Sequence, residues 1–121
     1  MADILIVDDS ASIRHTVKIA LSRHGYTIHE AANGVEGLKC AEASRFDLFL
    51  VDLNMPQMDG LTMIRHLREN PLQSGVPILF LTTESDTEIK IQAKEAGATG
   101  WLTKPFDADK LLQVVNRIVA K

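Results

Sequence analysis

Four short apolar runs, each giving way to charged or hydroxyl residues, constrain this chain more than any other feature. Residues 4–7 lead into Asp8 and Asp9, residues 48–51 into Asp52, residues 78–81 into Thr82 and Thr83, and the weaker pair 101–102 into Thr103, Lys104 and Pro105. Each run is too short for a helix, and its side chains are apolar on both faces rather than alternating. That pattern predicts strands of a parallel sheet covered on both sides. Residues 26–31, half polar, add a fifth strand.

The intervening segments repeat at a helical period. Ile13, Val17, Ala20 and Leu21 share one face of a first helix that closes at Gly25. Val35, Leu38 and Ala41 mark a second, and Leu61, Ile64 and Leu67 a third that stops before Pro71. Ile89, Ala93 and Ala96 give a fourth, stopped by Gly97, with the thinnest apolar face. Asp107 caps a fifth, whose Leu111, Leu112, Val115, Ile118 and Val119 show the strongest periodicity in the chain. Strand and helix alternate five times with short connections, which requires right-handed crossovers and a doubly wound parallel sheet.

With 121 residues, 45% of them hydrophobic, the chain reads as one globular domain over residues 1–121, without an output domain. Lysine and arginine number 13 against 16 acidic residues, and the net charge of −3 disfavours broad attraction to nucleic acid or an anionic membrane. Cys40 is the single cysteine and forms no internal disulfide. No basic stretch precedes the first apolar run, and no uncharged apolar run approaches the ~20 residues that span a bilayer. A cytoplasmic monomer is the expectation.

In such a sheet a site forms outside the carboxyl ends of the strands, where the strand order reverses. This brings Asp8, Asp9, Asp52, Thr82 and Lys104 to one crevice. Three carboxylates held together repel, and a hard divalent cation with oxygen ligands relieves the repulsion, which makes magnesium the natural occupant. Thr82 and Lys104 add contacts of the size and chemistry of a phosphate. Two plainer readings remain open: Asp8 and Asp9 cap the first helix alongside Ser10 and Ser12, and Lys104 merely pairs with a neighbouring aspartate.

Asp8-Asp9 after the first strand, Asp52 within Val-Asp-Leu-Asn-Met-Pro-Gln-Met-Asp-Gly, Thr82 after Leu-Phe-Leu, and Lys104-Pro105-Phe106 together resemble the response-regulator receiver domains. The likeness covers essentially the whole chain. Asn-Met-Pro, Thr-Thr-Glu-Ser and Gly-Ala-Thr-Gly-Trp narrow it to the stand-alone, CheY-like chemotaxis regulators. The resemblance implies a flavodoxin-like sheet of strand order 2-1-3-4-5 with five helices. It implies that Asp52 accepts a phosphoryl group from a CheA-like sensor histidine kinase. Mg2+ would be bound by Asp9, Asp52 and the backbone carbonyl of Asn54, with Asp8 acting through a water. Thr82 and Lys104 would contact the phosphoryl oxygens, Asn54 and Glu84 would flank the path of attacking water, and Lys104-Pro105 would be cis. Gly60 resembles the turn glycine of the family, and Pro56 keeps Met55 out of the helical region.

Phosphorylation would then be read out through Thr82 and the switch aromatic, here Trp101. The output surface would be the fourth helix, fifth strand and fifth helix, with charged residues Glu88, Lys90, Lys94, Glu95, Lys110, Arg117 and Lys121. A flagellar motor switch protein is the expected output partner, a phosphatase is a further one, and the kinase would dock over the first helix, which carries Arg14. Two positions depart from the family. Thr83 puts a branched side chain where a small one is usual, narrowing access, and Trp101 sweeps more volume than Tyr or Phe, which hinders a complete inward swing.

The chain would modify only itself and so is not an enzyme in the usual sense. A phosphorelay intermediate or phosphate sink would use the same residues. A metal-dependent phosphatase would want an acid where Asn54 stands, and a flavodoxin-like cofactor binder would want a phosphate loop where Asp8, Asp9 and Ser10 stand. His15, His24, His29 and His66 lack ligand spacing and are expected at the surface. Cys40 is expected to pack as a small apolar side chain, and Met55, Met58 and Met63 to fill gaps.

Overall fold

Five parallel strands form, β1 (Asp3–Val7), β2 (Thr27–Ala31), β3 (Leu48–Asp52), β4 (Ile78–Thr82) and β5 (Gly100–Thr103), of which β1, β3 and β4 are runs of buried Ile, Leu, Val and Phe while β2 and β5 are largely exposed. They make one sheet in the order β2-β1-β3-β4-β5. This computed structural model describes residues 2–53, 55, 58–83 and 87–119. Five helices connect and cover the strands: α1 (Ala11–Ser22), α2 (Gly34–Ala43), α3 (Gly60–Glu69), α4 (Thr87–Ala96) and α5 (Ala108–Val119). The doubly wound architecture and its strand order are as expected. Pro56 and Lys121 lie outside the described residues.

The apolar runs are buried on both faces because successive side chains serve different cores. Ile4, Ile6, Leu48, Leu50, Leu79 and Leu81 pack with Val17 and Leu21 of α1 and Leu111 and Val115 of α5. Leu5, Val7, Phe49, Val51, Ile78 and Phe80 pack with Ala41 of α2, Met63, Ile64 and Leu67 of α3, and Ala93 and Ala96 of α4. Burying one such aliphatic or aromatic side chain contributes about 1.5–3 kcal/mol, so these two layers dominate the stability of the fold.

Four turns before helices carry the caps that the helices need. Ser10 Oγ accepts from the Ile13 amide at 3.2 Å, Asn33 Oδ1 from Glu36 at 2.9 Å, Asp59 Oδ1 from Thr62 at 2.8 Å and Asp107 Oδ1 from Lys110 at 2.7 Å.

Three expectations are corrected. The second strand starts at Thr27 and not at residue 26, because the Tyr26 amide turns back to the Leu21 carbonyl at 3.4 Å and its hydroxyl bonds Asn116. Val35 is 41% exposed, because α2 approaches the sheet on Gly34, Gly37 and Ala41. A Cβ at Gly37 would lie 2.6 Å from Met63 Cε, so the missing side chain sets how closely α2 and α3 pack. After α3 the chain also makes a short 3-10 turn at Pro71–Gln73 in place of a simple stop. Its Gln73 is buried and ties α2 to the approach of β3, donating to the carbonyls of Ala41 (2.7 Å) and Ser44 (2.6 Å) and accepting from the Phe46 amide (3.1 Å).

Candidate functional site

The strand order reverses between β1 and β3, and their carboxyl ends carry Asp8 and Asp52. Asp8 is fully buried and Asp52 nearly so, with 3% exposure, while Asp9 is exposed in the turn to α1. Carboxylate oxygens of Asp8, Asp9 and Asp52 lie within 4.8 Å of one another. Thr82, fully buried, lies one residue beyond Leu81, which pairs with Asp52 in the β3–β4 register. The Lys104 amide donates to the Thr82 carbonyl at 2.8 Å, which brings the segment after β5 against the end of β4.

From there Lys104 reaches inward. Its Nζ is 2.8 Å from Asp8 Oδ2 and 3.3 Å from Asp52 Oδ1, with only 15% of the side chain exposed. Burial works against the charged ammonium, but the hydrogen bond to Asp8 and the charges of Asp52 and Asp8 outweigh it and hold the Lys104 pKa above the ordinary lysine value. The pairing of Lys104 with neighbouring aspartates, one of the plainer readings of the sequence, is therefore present. The Lys104-Pro105 bond is cis.

The N-cap of α1 is Ser10, not Asp8 or Asp9. Asp8 Oδ1 instead accepts from the Ser10 amide at 2.9 Å, leaving Oδ2 to Lys104. One ammonium does not balance three carboxylates, and a cluster made wholly of oxygen donors matches what Mg2+ takes from proteins. The residues present fit that ion.

Gly60 opens α3 directly against the end of β3. A Cβ there would sit 2.5 Å from the Asp52 carbonyl oxygen and 2.7 Å from Leu53 Cα. Close approach, and not a left-handed backbone, is the reason for glycine at this position.

Of the other expected residues, Thr83 is exposed beyond β4, and Trp101 is 45% exposed on β5. Asn54 and Glu84 lie outside the described residues. The four histidines are exposed, Cys40 packs at the edge of the α2–α3 core, and Met55 and Met63 are buried in it. Among the charged residues of α4 and α5, Glu88, Lys94, Glu95, Lys110 and Arg117 are exposed, while Lys90 is half-buried. No helix among the described residues is long and apolar enough to cross a membrane.

Arg14 is the residue that sequence reasoning placed differently. It was expected on the kinase-facing surface of α1, but its side chain is 17% exposed and its guanidinium turns toward the site. Nη1 donates to the Asp8 carbonyl at 2.6 Å, and Nε meets Glu30 Oε1 at 3.3 Å. Its position one turn into α1 was legible, but the direction of its side chain depends on Glu30 of β2, brought alongside only by the sheet.

The sequence model described as response regulator receiver domain matches residues 4–116 of the chain. Among solved structures, chemotaxis protein CheY4 of Vibrio cholerae superposes with a TM-score of 0.94 at 44% identity, covering 98% of each chain. Protein PilH of Pseudomonas aeruginosa is 35% identical over 99% of both chains. The DNA-binding dual master transcriptional regulator RpaA of Synechocystis is 36% identical over the whole chain, which spans about half the length of that relative (50%).

Proposed function

The chain belongs to the response regulator receiver domain family, and from that premise we propose that it is a phosphorylation-driven switch with Asp52 as acceptor. The observation that carries this reading is the contact of one lysine with two of three clustered carboxylates, Lys104 with Asp8 and Asp52, at the reversal point of the sheet. Such a site is built to hold positive charge where an anionic group arrives.

Asp9, Asp52 and the backbone carbonyl of Asn54 would hold Mg2+, with Asp8 acting through a water, and the ion would supply positive charge that lets a phosphoryl group approach these acids. An Asp52 carboxylate oxygen attacks the phosphorus of a phosphohistidine. The new O–P bond forms as the donor's N–P bond breaks, and the leaving imidazole keeps the electron pair and takes a proton from water. Lys104 keeps its proton and pairs with a phosphoryl oxygen, and the Thr82 hydroxyl donates to another. Water later attacks the same phosphorus, releasing inorganic phosphate and restoring the carboxylate. The rate of this hydrolysis would depend on Asn54, Thr83 and Glu84, as the family resemblance implies. The chain is consumed and regenerated stoichiometrically, which separates it from an enzyme with a free substrate.

Chemotaxis-type signalling is the finer assignment, supported by likeness to CheY4. In it a sensor histidine kinase phosphorylates Asp52, and the surface of α4, β5 and α5 meets an output partner such as a flagellar motor switch protein. Thr82 and Trp101 couple the two by shifting a two-state equilibrium.

Intact mass after treatment with acetyl phosphate and Mg2+ tests the acceptor. One added phosphoryl group, lost in Asp52→Asn, is the expected result. Equal phosphorylation of Asp52→Asn at another site would overturn the assignment.

A further inference from the structure

Two of the three clustered carboxylates are set by packing, since Asp8 and Asp52 are buried at strand ends. Asp9 is exposed, so its direction comes from the backbone of the β1–α1 turn. That turn is pinned on its Asp8 side. The Asp8 amide donates to Ala31 at 3.1 Å, Oδ1 takes the Ser10 amide and Oδ2 takes Lys104. The remaining polar atom is the Asp8 carbonyl, which belongs to the peptide joining Asp8 to Asp9. Arg14 Nη1 reaches it at 2.6 Å.

We propose that Arg14 is a positioning residue for the cation site, gripping the Asp8 carbonyl so that the Asp8-Asp9 peptide holds the Asp9 carboxylate toward a bound divalent cation. The inference rests on the phosphoryl-switch reading given above. Helical side chains lean toward the helix N-terminus, so a residue one turn into α1 reaches back over the turn that precedes it. The Arg14 amide accepts its own place there by donating to the Ser10 carbonyl at 3.1 Å. Glu30 holds the guanidinium from the neighbouring strand at 3.3 Å and is itself shared with Lys18 at 3.8 Å. The two contacts of Arg14 use different nitrogens of one rigid fork, a geometry that a lysine ammonium does not reproduce.

Charge alone makes the opposite forecast. A guanidinium near a cation site repels the cation, so its removal by itself would tighten binding. The sign of the change therefore separates positioning from electrostatics.

The test is calorimetric Mg2+ titration of the wild-type chain and of Arg14→Gln, Arg14→Lys, Glu30→Gln and Lys18→Gln. Loss of a residue that orients a ligand typically weakens metal affinity by about 10-fold or more. Arg14→Gln and Arg14→Lys should both show such a loss, Glu30→Gln a smaller one, and Lys18→Gln none. Asp52 phosphorylation by acetyl phosphate, measured against Mg2+ concentration, should show the half-saturating concentration rising by the same factor. The rate at saturating Mg2+ should stay close to wild type. A purely structural role would lower the unfolding midpoint without moving half-saturation. Tighter or unchanged Mg2+ binding in Arg14→Gln, or wild-type affinity in Arg14→Lys, would overturn the role of Arg14 while leaving Asp52 phosphorylation intact. A wild-type chain that neither binds Mg2+ nor is phosphorylated would overturn the switch reading itself.

Discussion

The ammonium of Lys90 lies 4.5 Å from the centroid of the Trp101 ring, placing a cation on the face of an indole that stands outward from β5. The same ring meets Phe80 at 6.2 Å between centroids. A cation over an exposed indole is worth about 0.5–1 kcal/mol, which the ring gives up if it turns inward. Lys90→Gln should therefore lower stability by about that amount and increase quenching of Trp101 emission by acrylamide. Unchanged quenching would show that the contact does not persist in solution.

Lys104 is the counter-charge for two buried carboxylates, and Lys104→Met would leave them facing each other. The expected loss without Mg2+ is about 1–3 kcal/mol in urea unfolding, with Mg2+ restoring more stability to the variant than to the wild type. The lysine pKa is raised on folding, so its contribution is complete below the unfolded value of about 10.4 and is lost as pH rises through the folded value. Wild-type and variant stabilities should thus differ by a constant amount from about pH 7 to pH 10 and converge above it. Convergence on lowering the pH from 10 toward neutrality would contradict this sign.

Gly60→Ala should cost about 1–3 kcal/mol although alanine is the better helix former. The new methyl must push α3 away from the Asp52 carbonyl, which it would otherwise meet at 2.5 Å. Mg2+ affinity should fall with stability, because the displaced backbone carries Asp52. A variant as stable as wild type would mean that the α3 start yields without cost.

Gln73→Met keeps the volume of the buried side chain but strands the amide of Phe46 and takes the Gln73 donor from the carbonyls of Ser44 and Ala41, of which Ala41 keeps Asn70 Nδ2 at 3.2 Å. Each unsatisfied group costs about 1–3 kcal/mol, so this should be the most damaging of the four substitutions. Hydrogen exchange at the Phe46 amide should accelerate beyond the global loss of stability. Gln73→Glu should fare no better, because it turns a carboxylate toward two carbonyls.

Much of the site was readable because strand ends are local. A run such as residues 48–51 cannot be amphipathic, so it must be buried, and Asp52 that follows must emerge at its end. The same holds for Asp8 and Thr82. Helix caps such as Asp107 were equally local, since the side chain serves an amide three residues away. Val35 was misplaced because its helical spacing is sound but its neighbour Gly37 makes the closer contact, and that preference arises only when Met63 and Val7 arrive from elsewhere. Gln73 gave no signal, since its three partners lie about thirty residues away in sequence.

By itself the sequence determined that this protein is a doubly wound parallel sheet with acids, a threonine and a lysine at its strand ends. Period, run length and end chemistry are properties of neighbouring residues. Only the tertiary structure decided that one lysine spans two of the acids, that Ser10 and not an aspartate caps α1, and that Arg14 turns inward to the Asp8 carbonyl. Each is a competition for hydrogen bonds and charge among groups far apart in the chain. Such competitions are resolved only when the sheet brings β1, β2, β3 and β5 side by side.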